Sequence, residues 1–349
     1  MKTLCTLVSA VLTPVAVAQP DFSAVDRAVE ALLEREERLP GAAVLVADRE
    51  GVLHEAYFGG YDRETVVPIA SASKIVAATA VMTLVDDGRM ALDAPVSTYL
   101  PGVFDEETAG PEKAALTIDE LFSMTSGLPA DGRPARFVND RGASMRDAVL
   151  GIAREIELEG EPGGGFRYGS YGMHVAGHAA ETVSGKDFES LVTESVCTPL
   201  GITTIEWDAF GETENYWPAA NAEASLPDYA RFMRMLLRRG ELDGTRVLSE
   251  AAVESMFEDR TADQRRARAE AGESAGGWGY AFGMWVEQRD DDGNSTRVSS
   301  PGLFGFTPVL DLEDDYVAVF MVTGLRNRIA GDIREILGAI DDAMAEARD

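Results

Sequence analysis

The chain has 349 residues, 45% of them hydrophobic, and a formal charge of −29 from 60 acidic and 31 basic residues. The acidic excess excludes a surface built for nucleic acid or an anionic membrane, both of which require a positive field. The hydrophobic content, distributed with regular periodicity, excludes a disordered acidic protein.

The first residues read "MKTLCTLVSAVLTPVAVAQP". Lys2 supplies a positive start, Leu4 to Val17 is mostly apolar, and Ala16-Val17-Ala18 is a small-residue cleavage site. This is the pattern of a secretory signal peptide over residues 1–18. A membrane anchor is the weaker reading, because the run falls short of the roughly 20 residues a span needs and Pro14 interrupts it. A periplasmic or secreted protein with no stable membrane anchor is therefore expected. Cleavage would leave Cys197 alone, so no internal disulfide is expected. The remaining length is long for one core and predicts two lobes.

In "DFSAVDRAVEALLEREER" (21–38), Phe22, Val25, Val29, Leu32 and Leu33 recur at helical spacing. Pro40-Gly41 ends that helix. "AAVLVAD" and "GVLHEAYFG", joined through Arg49-Glu50-Gly51, predict a β-hairpin. Residues 71–85 predict a helix apolar on nearly every face, hence buried. Helices and loops follow: "LTIDELFSMTSGLP", "SMRDAVLGIARE", the Gly-rich "EPGGGFRYGSYG", "MHVAGHAAETVSG", "SLPDYARFMRMLLRRGE" and "SEAAVESMFED". Residues 261–275 are polar without apolar period and predict an exposed loop. Then "GYAFGMWVEQ", "TRVSSPG", "FGFTPVLDLED" and "YVAVFMVTG" predict short strands, and "RIAGDIREILGAIDDAMAEA" a last helix. Strands at both ends with helices between them predict an α/β lobe from residues 19–72 and 231–349, and an inserted helical lobe from 73–230.

The stretch "IASASKIVAATAVMTLV" (69–85) holds one of only four lysines, with Lys2, Lys113 and Lys186 the others. On a helix Ser71 and Lys74, at i and i+3, share a face, whereas Ser73 points about 100° away. Ser71 would lie at the positive end of the helix dipole, which favours a developing alkoxide. A lysine amine in apolar surroundings is disposed to accept a proton. An N-cap serine with a snorkelling lysine is the bland alternative. The S-x-x-K motif alone does not decide between them.

"IASASKIVAATAVMTLVDDGRMALDAPVSTYLP" resembles the serine β-lactamase-like family of penicillin-recognising hydrolases. Within it the closest likeness is to the class C β-lactamase, D-peptidase and esterase branch. "LTIDELFSMTSGLP", "EPGGGFRYGSYGMHVAGHAAETVSGKDFESLVTESVCTPLGI", "DYARFMRMLL", "VLSEAAVESM" and "SSPGLFGFTPVLDLEDDYVAVFM" resemble later segments of that branch, in order, over roughly residues 22–340. The resemblance implies a β-lactamase/DD-peptidase-like α/β fold: an antiparallel sheet flanked by helices plus an all-helical lobe.

By the same resemblance Ser71 is the acylated nucleophile and Lys74 its proton-sharing partner. Tyr168 would exchange a proton with the nucleophile and then activate water, given cationic neighbours. Its bland alternative is a core tyrosine after a glycine turn. The backbone N–H groups of Ser71 and Leu303 would form the oxyanion hole. The family's Tyr-x-Asn motif is here Tyr168-Gly169-Ser170, and its Lys-Thr-Gly or His-x-Gly is Ser300-Pro301-Gly302. Ser170, Ser300 and Gly302 are thus the expected substrate-binding positions, with Gly302 allowing close approach to the backbone. The missing cation at Ser300 disfavours carboxylate-bearing β-lactams and cell-wall peptides, unless Arg297 or another arginine replaces it. A monomeric, exported serine hydrolase is expected, working without metal or cofactor on a small ester or amide. A β-lactamase or D-peptidase is the runner-up, and a non-catalytic ligand-binding relative the second alternative.

Other signals carry less. Ser274 lies in a G-x-S-x-G pattern, but no strand precedes it. His174 and His178 are at i, i+4 without the H-E-x-x-H glutamate, and with His54 are expected to pack or lie on the surface. Gly163-Gly164-Gly165 reads as a turn rather than a phosphate loop, and Asp290-Asp291-Asp292-Gly293 as a hairpin turn. The aromatics of "WGYAFGMWVEQ" fit a pocket lining or a strand core equally well.

Overall fold

The computed structural model describes residues 19–130, 137–264, 266 and 277–348. The expected signal peptide, Ser274 and most of the expected 261–275 loop lie outside them.

In chain order the strands are β1 (Gly41–Asp48), β2 (Val52–Gly59), β3 (Val66–Pro68), β4 (Glu223–Ser225), β5 (Glu241–Leu242) and β6 (Thr245–Arg246). They continue with β7 (Gly279–Tyr280), β8 (Trp285–Arg289), β9 (Ser295–Ser299), β10 (Thr307–Asp311) and β11 (Tyr316–Val322). Seven of them form one antiparallel sheet in the order β2-β1-β11-β10-β9-β8-β7. β3 pairs with β4, and β5 with β6.

The sequences "GAAVLVAD" and "YVAVFMV" lack the apolar–polar alternation of a half-exposed sheet because β1 and β11 are covered on both faces. Ala43, Leu45 and Ala47 of β1, with Val317, Val319 and Met321 of β11, enter one core. The intervening Ala42, Val44, Val46, Ala318, Phe320 and Val322 enter a second core on the other face. Helices Ser23–Arg35 and Ala330–Glu346 close that second core. Helices Ser73–Asp86, Tyr171–Ser184 and Leu226–Leu237 belong to the first. The division expected between residues 230 and 231 falls inside the continuous helix Leu226–Leu237.

The buried helix predicted for 71–85 begins two residues later, at Ser73, after a 3-10 turn over Ala70–Ala72. Lys113 donates through Nζ to the Ala153 and Ile156 carbonyls at the end of helix Met145–Glu155. There its charge opposes the negative end of the helix dipole. Among the described residues no helix is long and apolar enough to cross a membrane.

The three histidines pack, as expected. His54 bonds Asp26 at 2.7 Å and stacks on Phe22, and His178 bonds Glu181 at 2.8 Å. His174 is fully buried, with Nε2 2.7 Å from Asn215 Oδ1. Burial pushes its imidazole down to about 4, against the opposing pull of the Asn215 hydrogen bond. The unfolded chain, titrating near an ordinary 6.5, therefore binds a proton that the folded chain refuses. Stability is full above about pH 6.5 and falls as the pH drops towards about 4, by up to about 3 kcal/mol from this group. Calorimetric Tm measured at pH steps across that window should fall in the wild type and fall less in His174→Gln. Equal slopes would count against the assignment.

Candidate active site

The site is organised around Ile69–Ser73, the turn between β3 and the buried helix. Ala70 sits at φ 48°, a left-handed conformation that costs a residue with a Cβ about 1–2 kcal/mol. Four consecutive carbonyls of this turn are each tied down. Ile69 O accepts from Ala72 N–H at 3.1 Å. Ala70 O accepts from Ser73 Oγ at 2.6 Å, Ser71 O from Ser300 Oγ at 3.0 Å, and Ala72 O from the Tyr229 hydroxyl at 2.8 Å. Ser73 Oγ also accepts from Ala222 N–H at 3.0 Å, and Ile69 N–H donates to Ala222 O at 2.9 Å. Ser73 is thus committed to holding the backbone, which leaves Ser71 as the serine facing the lysine.

Lys74 is 1% exposed, and its Nζ lies 3.1 Å from Ser71 Oγ and 2.7 Å from the Ala219 carbonyl. The third direction of the amine faces the Tyr168 ring, whose centroid is 4.8 Å away. With one N–H fixed on Ala219 O, a neutral amine at this spot keeps a lone pair to aim at Ser71 Oγ. That geometry suits proton transfer from the serine.

Tyr168 is positioned by a backbone ladder from the "MTSG" segment. Arg167 N–H donates to Met124 O, Gly163 N–H to Thr125 O, and Glu159 N–H to Gly127 O, all at 2.8 Å. Gly163-Gly164-Gly165 takes part in this turn, as read from the sequence. The Tyr168 ring stacks on Trp285 at 5.2 Å and 16° and meets Tyr280 edge-on. The "WGYAFGMWVEQ" aromatics therefore form a wall of the site as well as strand core. Among the described residues no hydrogen bond links the Tyr168 hydroxyl to Ser71 or Lys74. The lysine meets the face of the ring, not its oxygen.

Two of the expected substrate-binding positions do other work. Ser300 is 3% exposed and spends its hydroxyl on the Ser71 carbonyl. A Cβ on Gly302 would stand 2.2 Å from Ile69 O, so Gly302 admits that carbonyl rather than a substrate. Ser170 is buried at the start of helix Tyr171–Ser184. Leu303 is 61% exposed, and among the described residues none accepts a hydrogen bond from its N–H. Arg297 does not supply the missing cation. It is buried against Asp311 at 3.1 Å and Asp341 at 2.9 Å, with the Tyr316 hydroxyl at 3.0 Å, towards the Ala330–Glu346 helix. Among the described residues one carboxylate group, Glu206, Asp208 and Glu223, has ligand atoms within 4.8 Å of one another. It contains none of the candidate catalytic side chains.

A family model described as beta-lactamase matches residues 25–339. The chain belongs to the β-lactamase family. Penicillin-binding protein 4 of Amycolatopsis lactamdurans is 28% identical over 348 residues, covering 88% of this chain and 87% of that protein. Esterase EstB of Burkholderia gladioli is 35% identical over 188 residues, 48% of this chain and 47% of that protein. The solved structure of EstCE1, a hydrolase with promiscuous acyltransferase activity, superposes with a TM-score of 0.75. It is 20% identical and covers 91% of this chain and 99% of that one, a likeness of fold. The antiparallel sheet flanked by helices is thus the β-lactamase-family fold, and the chain is a serine hydrolase of that family.

The Ala219 carbonyl and the Tyr229 hydroxyl were not foreseen from the sequence. The first is a backbone atom with no side-chain signature. The second sits in "DYARFMRMLL", where helical period conceals a polar tip. Tyr229→Phe should lower stability by about 1 kcal/mol by removing the hydroxyl's hydrogen bond to the buried Ala72 carbonyl. Urea unfolding midpoints check it, and an unchanged midpoint would remove Tyr229 from this role. Gly302→Ala should displace Ile69 and lower hydrolysis at least about tenfold with near-native circular dichroism.

Proposed function

We propose that this β-lactamase-family protein is an exported carboxylesterase-like hydrolase that forms an acyl-enzyme on Ser71. The observation that carries the reading is the 3.1 Å contact of Ser71 Oγ with the fully buried Lys74 amine. Ser71 Oγ attacks the ester carbonyl while Lys74 takes its proton. The N–H groups of Ser71 and Leu303 receive the oxyanion. The Tyr168 hydroxyl gives a proton to the leaving alkoxide and then helps water release the acid.

A neutral substrate is supported by Ser300, which stands where the family carries Lys or His, and by Arg297, whose charge is spent elsewhere. The name of EstB agrees with this preference. A β-lactamase or D-peptidase is the second reading, supported by the near full-length likeness to penicillin-binding protein 4. A purely binding role would not need the Ser71–Lys74 contact. Export rests on the leader-like pattern of residues 1–18.

Ser71→Ala should reduce hydrolysis of p-nitrophenyl butyrate by at least about 10³-fold, and Lys74→Met by a similar factor. Intact-mass spectrometry should detect an acyl adduct on the wild type alone. Unchanged turnover in Ser71→Ala would overturn the mechanism. A far higher kcat/KM on a chromogenic cephalosporin would favour the second reading.

A further inference from the structure

Single exposed apolar side chains are ordinary, but contiguous ones mark a binding surface. The large apolar residues exposed among the described ones are Val52, Val66, Phe210, Trp278, Leu303 and Leu325. Three of these converge beside the candidate oxyanion donor. Arg326 N–H donates to Leu303 O at 2.9 Å and Gly324 N–H to Phe304 O at 2.8 Å, which brings Leu325 alongside Leu303 and Phe304. Phe210 meets Phe304 edge-on, with ring centroids 6.4 Å apart. The rim is held in place rather than loose. Arg141 donates to the Phe210 and Glu212 carbonyls. Gly305, at φ 96°, packs so closely on Val322 Cγ1 that an added Cβ would lie 2.6 Å from it. The bend at Gly305 accompanies the outward projection of Leu303, which is 61% exposed.

We propose that Phe210, Leu303, Phe304 and Leu325 form the acyl-chain subsite, and that the substrates are esters of medium- to long-chain fatty acids. The inference rests on the acyl-enzyme reading above. A tetrahedral carbonyl carbon on Ser71 has four directions. One is Ser71 Oγ, one is the oxyanion at the Ser71 and Leu303 N–H groups, and one is the leaving oxygen beside Tyr168. The acyl chain takes the fourth, and the apolar surface bordering the oxyanion donor is this rim.

The test compares p-nitrophenyl acetate and octanoate, which share one leaving group, on wild type and on Phe210→Ser/Leu325→Ser. The octanoate-to-acetate ratio of kcat/KM should exceed about tenfold in the wild type and fall about tenfold in the double variant. A ratio that the substitutions leave unchanged overturns the subsite. Binding of octanamide against acetamide, by calorimetry on Ser71→Ala protein, judges the rim without turnover. Octanamide should bind more tightly with the rim intact and lose that advantage in the triple variant. If circular dichroism shows the double variant unfolded, Leu325→Asn alone replaces it. Hydrolysis surviving in Ser71→Ala would sink the nucleophile assignment, while the octanamide measurement would still decide the subsite.

Discussion

Everything in the site depends on holding Ile69–Ser73 in a conformation its own residues do not prefer. Ala70 is left-handed, and a left-handed residue persists only where its surroundings over-determine it. Here the surroundings are four carbonyls restrained by Ser73, Ser300, Tyr229 and the turn itself. The restraints come from the sheet side through Ser300 and Gly302 and from the helical side through Tyr229 and Ala222. Ser71 is therefore fixed relative to both layers, and the Leu303 N–H is carried by the same loop as Gly302. Ser71 and the Leu303 N–H, the proposed nucleophile and oxyanion donor, thus share one frame, which is the pre-organisation that acyl transfer would require.

Lys74 shows how a buried amine is accommodated. Its three directions meet a hydroxyl, a carbonyl and the face of an aromatic ring. The three partners lie close to one another in space although the chain separates them widely. A carboxylate in place of Ala219 O would hold the proton on the lysine. A carbonyl accepts the N–H without adding a charge, and the ring face presents no competing acceptor.

Local pattern carried much of the fold and the heart of the site. The both-face burial of β1 and β11 was written in unbroken apolar runs, and Ser71 with Lys74 in a three-residue spacing that survives the shift of helix start to Ser73. The rest depended on which backbone atoms meet across long separations. Gly302 looked like clearance for a substrate because a sequence does not show the Ile69 carbonyl lying against it. Ser300 looked like a weakened substrate contact, yet its small hydroxyl fits the Ser71 carbonyl. Arg297 looked available because its three acidic neighbours, Glu287, Asp311 and Asp341, come from two strands and the last helix.

The register of β1 on β11 pairs Ala42 with Val322 and Asp48 with Tyr316. The central strand pair thus joins segments more than 260 residues apart, and the first core and the second both require it. During synthesis β1 and the hairpin it makes with β2 exist long before their main partner. Loop closure over such a span is slow, and unbroken apolar strands left unpaired invite association between chains. The sheet that positions the Ile69–Ser73 turn is consequently a late product of folding, assembled only once nearly the whole chain is present.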